Sequence, residues 1–434
     1  MKLDTLFHLD LAGDRLDLKK LDLTVPDVDL SASGSVARLT GSPMLDLSTS
    51  LKLSLDSLVA DLAPAPVLKK LPEGFKTSGR VEIDAQAQGP AENYRQMKLS
   101  GRLQIRDVGV VYGSYPAVEG MNGQLDFSNT LLNLSDLAFK LGKHPIDLKA
   151  QVSGFSLADL KGALVNLTLQ AFQGTLKAQV RANLAVPGTS YGYAVDLAGL
   201  NVEDAVNTYA DTFPKDASLQ QLRNKVFGTL AASARGTGKG LSGAAMEKNL
   251  DLTGSFKLAK GKFSHLDMAQ KLASVIPYPP VSNLLMSDIT FDRTQSDFAL
   301  KGGKASWTDL VEDTGADGRQ GSTMIQSHGF YVLGGAIDTH VILHFNPSVV
   351  KLQGTAQEAF ADDKGWPTFD VAYYGPTLKQ AKADFSQGLK KAAGRVVNRQ
   401  IDQLKQKAVQ QGQQQMQQLL QKQGGGLLKG LFGH

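Results

Sequence analysis

The sequence predicts a mainly β protein, built as an elongated, repeating antiparallel array with short helical inserts and a C-terminal amphipathic helix. Apolar and polar residues alternate in long runs over most of the chain. Successive side chains of a strand point to opposite faces, so such runs indicate antiparallel strands with one apolar and one wet face. The 434 residues exceed the length that a single core usually supports, and 44 glycines with only 7% aromatics favour many short strands and turns.

The alternating segments share an apolar residue at every second position. They cover residues 45–55, 81–87, 99–105, 146–152, 165–171, 176–186, 191–197, 250–258 and 337–345. Buried parallel strands would instead show continuous apolar runs. Each segment is therefore predicted to be an antiparallel strand.

Helices are predicted at three places between the strands. The first covers residues 57–71, and the second covers 202–226, with Asn201 as its N-cap and a break at Pro214. The third covers 266–276 and ends at the proline-rich segment 277–280.

An internal repeat accompanies these inserts. Residues 78–85 resemble 227–234, 99–105 resemble 252–258, 125–127 match 289–291, and 152–155 match 327–330. The offset grows from 149 to 175 residues between the first and last pair, as insertions in loops would produce. We expect one β-module over residues 1–190, a second over 191–376, and a basic Gln-rich helix and tail over 377–434.

Charge is unevenly distributed. The formal net charge is +4, yet residues 377–434 carry ten Lys or Arg against Asp384 and Asp402, a net +8. The rest of the chain is therefore weakly acidic, and only the tail is expected to be drawn to an anionic surface. No segment is long and apolar enough to predict a transmembrane helix, and residues 1–6 contain no apolar signal-peptide core.

The sequence predicts no enzyme, cofactor or metal site. There is no cysteine, and Gly188–Gly192 matches a nucleophile elbow but leads into a strand where that motif requires a helix. Gly238–Gly243 matches a dinucleotide-binding motif, but a hairpin loop is expected there. Asp313–Gly318 resembles a calcium loop with Met324 in place of its bidentate Glu. His340 and His344 are four strand residues apart, too far to bind one ion together.

The tail combines charge with apolar residues. Phe385, Leu389, Ala393, Val397, Ile401, Leu404 and Ala408 recur at helical spacing, and twelve of the 24 residues from Gln400 to Gln423 are Gln. Few aromatics accompany the Lys and Arg residues, so no nucleic acid is expected as a partner. We expect an anionic membrane or an envelope protein to contact this end, with Gly424–Gly426 as a hinge. The residues predicted to make the contact are Lys390, Lys391, Arg395, Leu427, Leu428, Leu431 and Phe432. A helix that packs on the body is the open alternative.

Several short segments resemble bacterial AsmA-like proteins. Leu55–Leu62, Leu71–Gly74 and Ser78–Val81 resemble the repeat of that family, and Gly254–Gly261 resembles an element near its C-terminus. Gly375–Leu378 is similar to the end of the family's last strand. Each segment is short and degenerate, but their order along residues 45–385 is more specific than any one alone.

The resemblance implies a taco-like β-groove in the Gram-negative envelope that carries phospholipid between the inner and outer membranes. It implies a periplasmic protein anchored in the inner membrane, although the family's N-terminal anchor is missing from this sequence. The alternation agrees, because strands with one Leu- and Val-rich face would build an apolar trough. The predicted lipid-lining residues are Leu45, Leu47, Leu51, Leu53, Leu55, Val165, Leu167, Leu169, Leu176, Val180 and Leu184.

One alternative has the same sequence signature. A structural or adhesive β-array whose apolar face is filled by its own side chains would show the same alternation. The sequence alone does not separate an open groove from a filled core.

Overall fold

The chain forms one antiparallel sheet of twenty strands. The structure is a computed structural model, and it describes residues 1–56, 74–112, 117–156, 162–183, 189–213, 217–240, 245, 248–264, 267–276, 278–286, 288–313 and 323–431. Each strand pairs antiparallel with the next strand in sequence, from β1 to β20. The predicted fold class is confirmed.

The strands are β1 Lys2–Asp10, β2 Arg15–Val25, β3 Val28–Ala37, β4 Met44–Ser54, β5 Lys76–Pro90, β6 Lys98–Val111, β7 Val118–Ser128, β8 Leu132–Leu141, β9 His144–Ser153, β10 Ala163–Ala171, β11 Gly174–Asn183, β12 Ser190–Asn201, β13 Val226–Lys239, β14 Asp251–Phe263, β15 Ile289–Lys301, β16 Lys304–Asp313, β17 Thr323–Val332, β18 Ile337–Phe345, β19 Thr368–Gly375 and β20 Lys382–Asp384. The helices are α1 Val202–Thr212, α2 Ala217–Leu222, α3 Asp267–Val275, α4 Pro279–Met286, α5 Thr355–Phe360 and α6 Ser386–Leu431.

Two of the predicted helices are confirmed. α1 begins after Asn201, whose side-chain oxygen accepts a hydrogen bond from the Asp204 backbone N–H at 3.1 Å, as predicted for an N-cap. α3 matches the helix predicted at 266–276. The helix predicted at 57–71 lies outside the described residues.

The C-terminal helix begins at Ser386, next to Phe385 at the start of its predicted stripe, and residues 382–384 before it form β20. Two sequence predictions on local structure are wrong. Gly238 and Lys239 belong to β13 and not to a loop, because this strand continues its pairing with β12 to Lys239. α6 also runs through Gly424–Gly426, where a hinge was predicted.

The segments that suggested an internal repeat lie on strands eight places apart. The pairs fall on β5 and β13, β6 and β14, β7 and β15, and β9 and β17. β12 begins at the predicted boundary between the modules, and it pairs with β11 without interruption. The interpretation as two modules stays a prediction.

β-Bulges interrupt the register at several strand pairs. At the β5–β6 pair the register shifts between Ser78 and Arg80, opposite Asp107. Gly79 has a φ of +93° there, and a Cβ on it would lie 2.3 Å from the Asp107 carbonyl oxygen. Only glycine fits this close approach, and the bulge increases the local bend and twist of the sheet.

The main hydrophobic core of the described residues lies at the C-terminal end of the sheet. α3 and α4 contribute Leu272, Ile276, Val281 and Leu285, which belong to one buried cluster with side chains of β18 and β19. The strand side chains of this cluster are Val341, Leu343, Phe345, Phe369 and Val371. A second layer of structure therefore covers the apolar face of the last strands.

Replacing Phe369 with Ala is expected to destabilise this end by about 3–5 kcal/mol, because its ring is fully buried (0% exposed) and would leave a cavity. Trp366 lies just before β19 and Trp307 lies in β16, two strands from β18, so urea unfolding followed by tryptophan fluorescence reports on this end of the sheet. Leu51→Ala on distant β4 is the control and should leave the tryptophan transition unchanged, because stability in such arrays depends on nearest neighbours. Equal shifts in both variants would contradict this localised core.

Candidate functional site: the apolar face of the sheet

One face of the sheet is apolar across all twenty strands. Cα register partners form an unbroken row with one residue from each strand, which crosses the whole sheet. The row is Leu3, Leu23, Leu30, Leu51, Ile83, Leu103, Leu125, Leu134, Ala150, Leu167, Ala178, Val195, Ala234, Gly254, Phe298, Trp307, Gly329, Thr339, Tyr373 and Ala383. We call this side the apolar face and the opposite side the polar face. At a strand spacing of about 4.8 Å the row spans roughly 90 Å.

The apolar face is half-buried over most of its length. Every residue of the row from Leu23 in β2 to Gly329 in β17 is neither buried nor fully exposed, and full burial begins only at Thr339 in β18. In β1–β11 the buried apolar residues are few: Val108, Ile146, Ala163 and Ala182. Among the described strands, only strands that are consecutive in the sequence make extensive contacts with each other. The described residues thus provide no second layer over β1–β11.

Most of the predicted lining residues lie on this face. Leu45, Leu47, Leu51 and Leu53 alternate along β4, and their register partners in β3 include Val36, Leu30 and Val28. Six strands further on, Val165 lies opposite Val180, and Leu169 lies opposite Leu176. Leu167 lies opposite Ala178 in the same pair. These side chains are all half-buried.

Two of the predicted lining residues are not on the described strands. Leu55 follows the last residue of β4, and its backbone carbonyl accepts a hydrogen bond from Thr77 Oγ1 at 2.6 Å. It is therefore at the margin of the sheet and not within the alternating row. Leu184 lies outside the described residues.

The lining residues predicted from the sequence do not include the aromatic side chains on the C-terminal half of the apolar face. Tyr193, Phe256, Phe298 and Trp307 lie on this side of β12–β16. The rings of Phe256 and Phe298 are 6.3 Å apart, and burial raises the pKa of the Tyr193 hydroxyl. The signal was present for Tyr193 and Phe256, because they occupy apolar positions of the alternating segments 191–197 and 250–258.

The polar face carries ion pairs and short polar side chains. Arg102 Nε lies 2.7 Å from Asp126 Oδ1, and this hydrogen bond lowers the pKa of Asp126. A concavity of about 670 Å³ on this side is lined by Arg102, Asp126, Lys20 and several serines. Mixed charge at an exposed surface is well solvated, so the polar face suits contact with water.

The first turns of α6 are fixed to the body. Phe385 and Ala392 are buried, and Lys391 Nζ forms an ion pair with Asp370 Oδ2 of β19. The Arg399 guanidinium donates hydrogen bonds to the carbonyl oxygens of Glu358 and Ala361, at 2.8 Å and 2.9 Å. These carbonyls lie at the C-terminal end of α5, where a helix presents unpaired acceptors and the negative end of its dipole.

These contacts change the interpretation of two predicted membrane-contact residues. Lys391 binds Asp370, and Arg395 donates to the Phe360 carbonyl oxygen at 3.4 Å, so both attach α6 to the protein itself. Lys390 is exposed. Leu427, Leu428 and Leu431 belong to α6, and Phe432 lies outside the described residues.

Beyond its first turns, α6 is exposed. All residues from Gln400 to Gln418 are exposed, and the apolar positions Leu389, Val397, Ile401 and Leu404 remain open, with Leu404 67% exposed. The predicted apolar stripe thus does not pack on the described body, apart from Phe385 at its start.

His344 is an ionisable group at this end whose pKa is lowered in the folded protein. Burial in β18 lowers its pKa, and nearby Arg395 and Lys364 act in the same direction, while Asp362 opposes them. Its Nδ1 lies 3.0 Å from Thr368 Oγ1 and 3.6 Å from Asp362 Oδ2. The folded protein therefore favours the neutral imidazole.

The described residues contain no group of three or more His, Cys, Asp or Glu side chains arranged to hold a metal ion. Among the helices of the described chain, none is both long enough and apolar enough to cross a membrane. Searches against models of known protein families and against curated proteins return no match.

Folding lowers the pKa of His344. The unfolded chain therefore binds more protons at this residue than the folded chain does once the pH falls to the ordinary His value of about 6.5. The C-terminal core should therefore lose stability progressively from about pH 6.5 downward. We expect His344→Gln to reduce the drop in melting temperature between pH 7.5 and pH 5.5, with tryptophan fluorescence as the readout. His8→Gln on β1 is the control, and an equal drop in wild type and His344→Gln would contradict this assignment.

Proposed function

We propose that the protein carries phospholipids between the two membranes of a Gram-negative envelope, with their acyl chains held along the apolar face. The observation that carries the proposal is the unbroken apolar row that crosses the sheet and stays half-exposed from β2 to β17. A membrane lipid needs such a path, because its acyl chains are poorly soluble in water.

The energetic reason follows from the cost of hydrating an acyl chain. Exposing one chain of about sixteen carbons costs roughly 12 kcal/mol, at about 0.8 kcal/mol per CH₂. A continuous surface of Leu, Val, Ile and Ala side chains lowers this barrier at every point of the path. The headgroup can stay in water beside the sheet, so no special chemistry is required of any side chain.

The alternative function, a structural array with a filled core, predicts a different burial pattern. Its apolar side chains would be covered along the whole sheet, as those of β18 and β19 are by α3 and α4. The half-buried row in β2–β17 favours a ligand-binding face over a self-filled one.

Three carboxylates on the apolar face should block lipid binding. Leu51→Asp, Leu167→Asp and Val180→Asp place charge in the row or beside it on β4, β10 and β11. We expect photo-crosslinking to a phospholipid with a diazirine in its acyl chain to fall at least roughly tenfold, because each charge must be desolvated by the chain.

The matched control carries three carboxylates on the polar face of the same strands, as Ser48→Asp, Thr168→Asp and Gln179→Asp. Their register partners lie on the polar side, for example Thr168 opposite Lys149 and Lys177. The control should crosslink like wild type, with circular dichroism used to verify folding of both variants. Equal losses in two folded variants would count against lipid binding on the apolar face.

We further propose that the exposed part of α6 contacts an anionic membrane at the C-terminal end of the sheet. Beyond the anchoring Arg399, the chain carries four Lys residues against Asp402, a net charge of +3, and α6 exposes Ile401 and Leu404. Each Lys or Arg near an anionic leaflet contributes about 1 kcal/mol, so several together hold a reversible contact.

A chain that ends after Gln400 tests this contact, because it keeps Phe385, Lys391 and Arg399, which attach α6 to the body, and removes the chain from Ile401 onward. The intact protein should float with vesicles containing anionic lipid, and the shortened chain should float several-fold less. Neutral vesicles are the control. If the intact and shortened chains float equally, α6 is not the membrane contact.

A further inference from the structure

β1 is an edge strand with exposed side chains along its whole length. All nine residues of Lys2–Asp10 are exposed, and within the described chain β1 pairs with β2 alone. Its outer side therefore presents the backbone N–H and C=O groups that would pair with a further strand.

The opposite edge of the sheet is protected. β20 pairs with only three residues of β19, Ala372–Tyr374. Next to them, Gly388 of α6 packs so closely that a Cβ on it would lie 2.4 Å from the Asp370 carbonyl oxygen. Lys271 Nζ also donates to the Ala381 carbonyl oxygen at 3.1 Å. A short strand and a covering helix are known ways to block pairing at a sheet edge.

β1 lacks these protections and carries large apolar side chains. Phe7 on the apolar face is 61% exposed, and Leu6, at the centre of the strand on the polar face, is 57% exposed. A pairing strand would cover part of both side chains.

The sequence of β1 is complementary to itself when two copies run antiparallel with Leu6 opposite Leu6. Lys2 then faces Asp10 and Asp4 faces His8 on the polar side, while Leu3 faces Leu9 and Thr5 faces Phe7 on the apolar side. The opposite charges of Lys2 and Asp10, and the apolar pairs Leu3–Leu9 and Leu6–Leu6, stabilise strands at directly opposed positions.

Neighbouring registers lose this match. A shift that centres the pairing on Phe7 places Asp4 opposite Asp10 and Leu6 opposite His8. A shift that centres it on Thr5 places Lys2 opposite His8 and Asp4 opposite Leu6. Registers displaced by one residue set apolar positions of one strand against polar positions of the other, which disfavours them.

We propose that two copies of this protein associate through β1 in an antiparallel, two-fold symmetric pair centred on Leu6. A two-fold axis perpendicular to the sheet keeps the apolar faces of both copies on the same side. The pair then has one continuous apolar face of forty strands, about 190 Å long at the usual strand spacing. This inference rests on β1 and does not depend on lipid binding.

The absence of cysteine in the sequence allows a direct test. In the proposed register the two Leu6 Cβ atoms lie about 5 Å apart, so Leu6→Cys should form an intermolecular disulfide under mild oxidation. Leu11→Cys is the control: Leu11 is 81% exposed but would lie roughly 30 Å from its counterpart.

Light scattering on the full chain completes the test. Wild type should show twice the 46.4 kDa chain mass, and Leu6→Lys should show the single mass, because two ammonium groups would face each other across the axis. Circular dichroism verifies that each variant is folded. A single mass for wild type at all concentrations, equal disulfide yields at positions 6 and 11, or a persistent Leu6→Lys dimer would overturn the proposal.

Discussion

The register between neighbouring strands is the constraint on which the whole structure depends. Side chains alternate with a period of two, so a slip of one residue at any of the strand pairs would move an apolar set to the wet face. The row from Leu3 to Ala383 shows that the apolar face stays continuous through every pair.

Where bulges occur, the sequence compensates for them. In β2, Leu16 and Leu18 are followed by two lysines before Leu21 and Leu23, and the register shift lies between Leu18 and Leu21. In β8, Ser135 and Asp136 separate Leu134 from Leu137 at the same kind of shift.

The uneven burial of the apolar face has consequences for stability. A sheet in which each strand touches mainly its two neighbours behaves as a quasi-one-dimensional array. Where no second layer covers the strands, burial of their apolar side chains contributes little to the stability of the fold. At the C-terminal end, by contrast, α3 and α4 bury the apolar face and α6 shields the edge, so this end is expected to open least often. A bound acyl chain on the half-buried part would supply the missing cover and stabilise these strands.

The sequence predicted the strands well, because alternation is a local signal that survives without tertiary information. It also predicted α1 with its Asn201 cap and α3 with its proline-rich end.

The sequence-based predictions failed where the outcome depended on contacts between distant residues. The burial of β18 and β19 by α3 and α4 joins Leu272 and Val281 to Phe369, and no local pattern signals that pairing. Lys391 and Arg395 looked like charges on an exposed helix, yet Asp370 and the Phe360 carbonyl bind them. The alternation also does not separate an open face from a filled one, because both require it.

We propose that the apolar face of β2–β17 is a surface for acyl chains. Native mass spectrometry of the intact protein, purified in mild detergent from cells that express it, tests this proposal. We expect species heavier than the 46.4 kDa chain by one or more phospholipid masses, which dissociate on collisional activation as intact lipids. A bare chain mass under the gentlest conditions, after incubation with phospholipid vesicles as well, would contradict it.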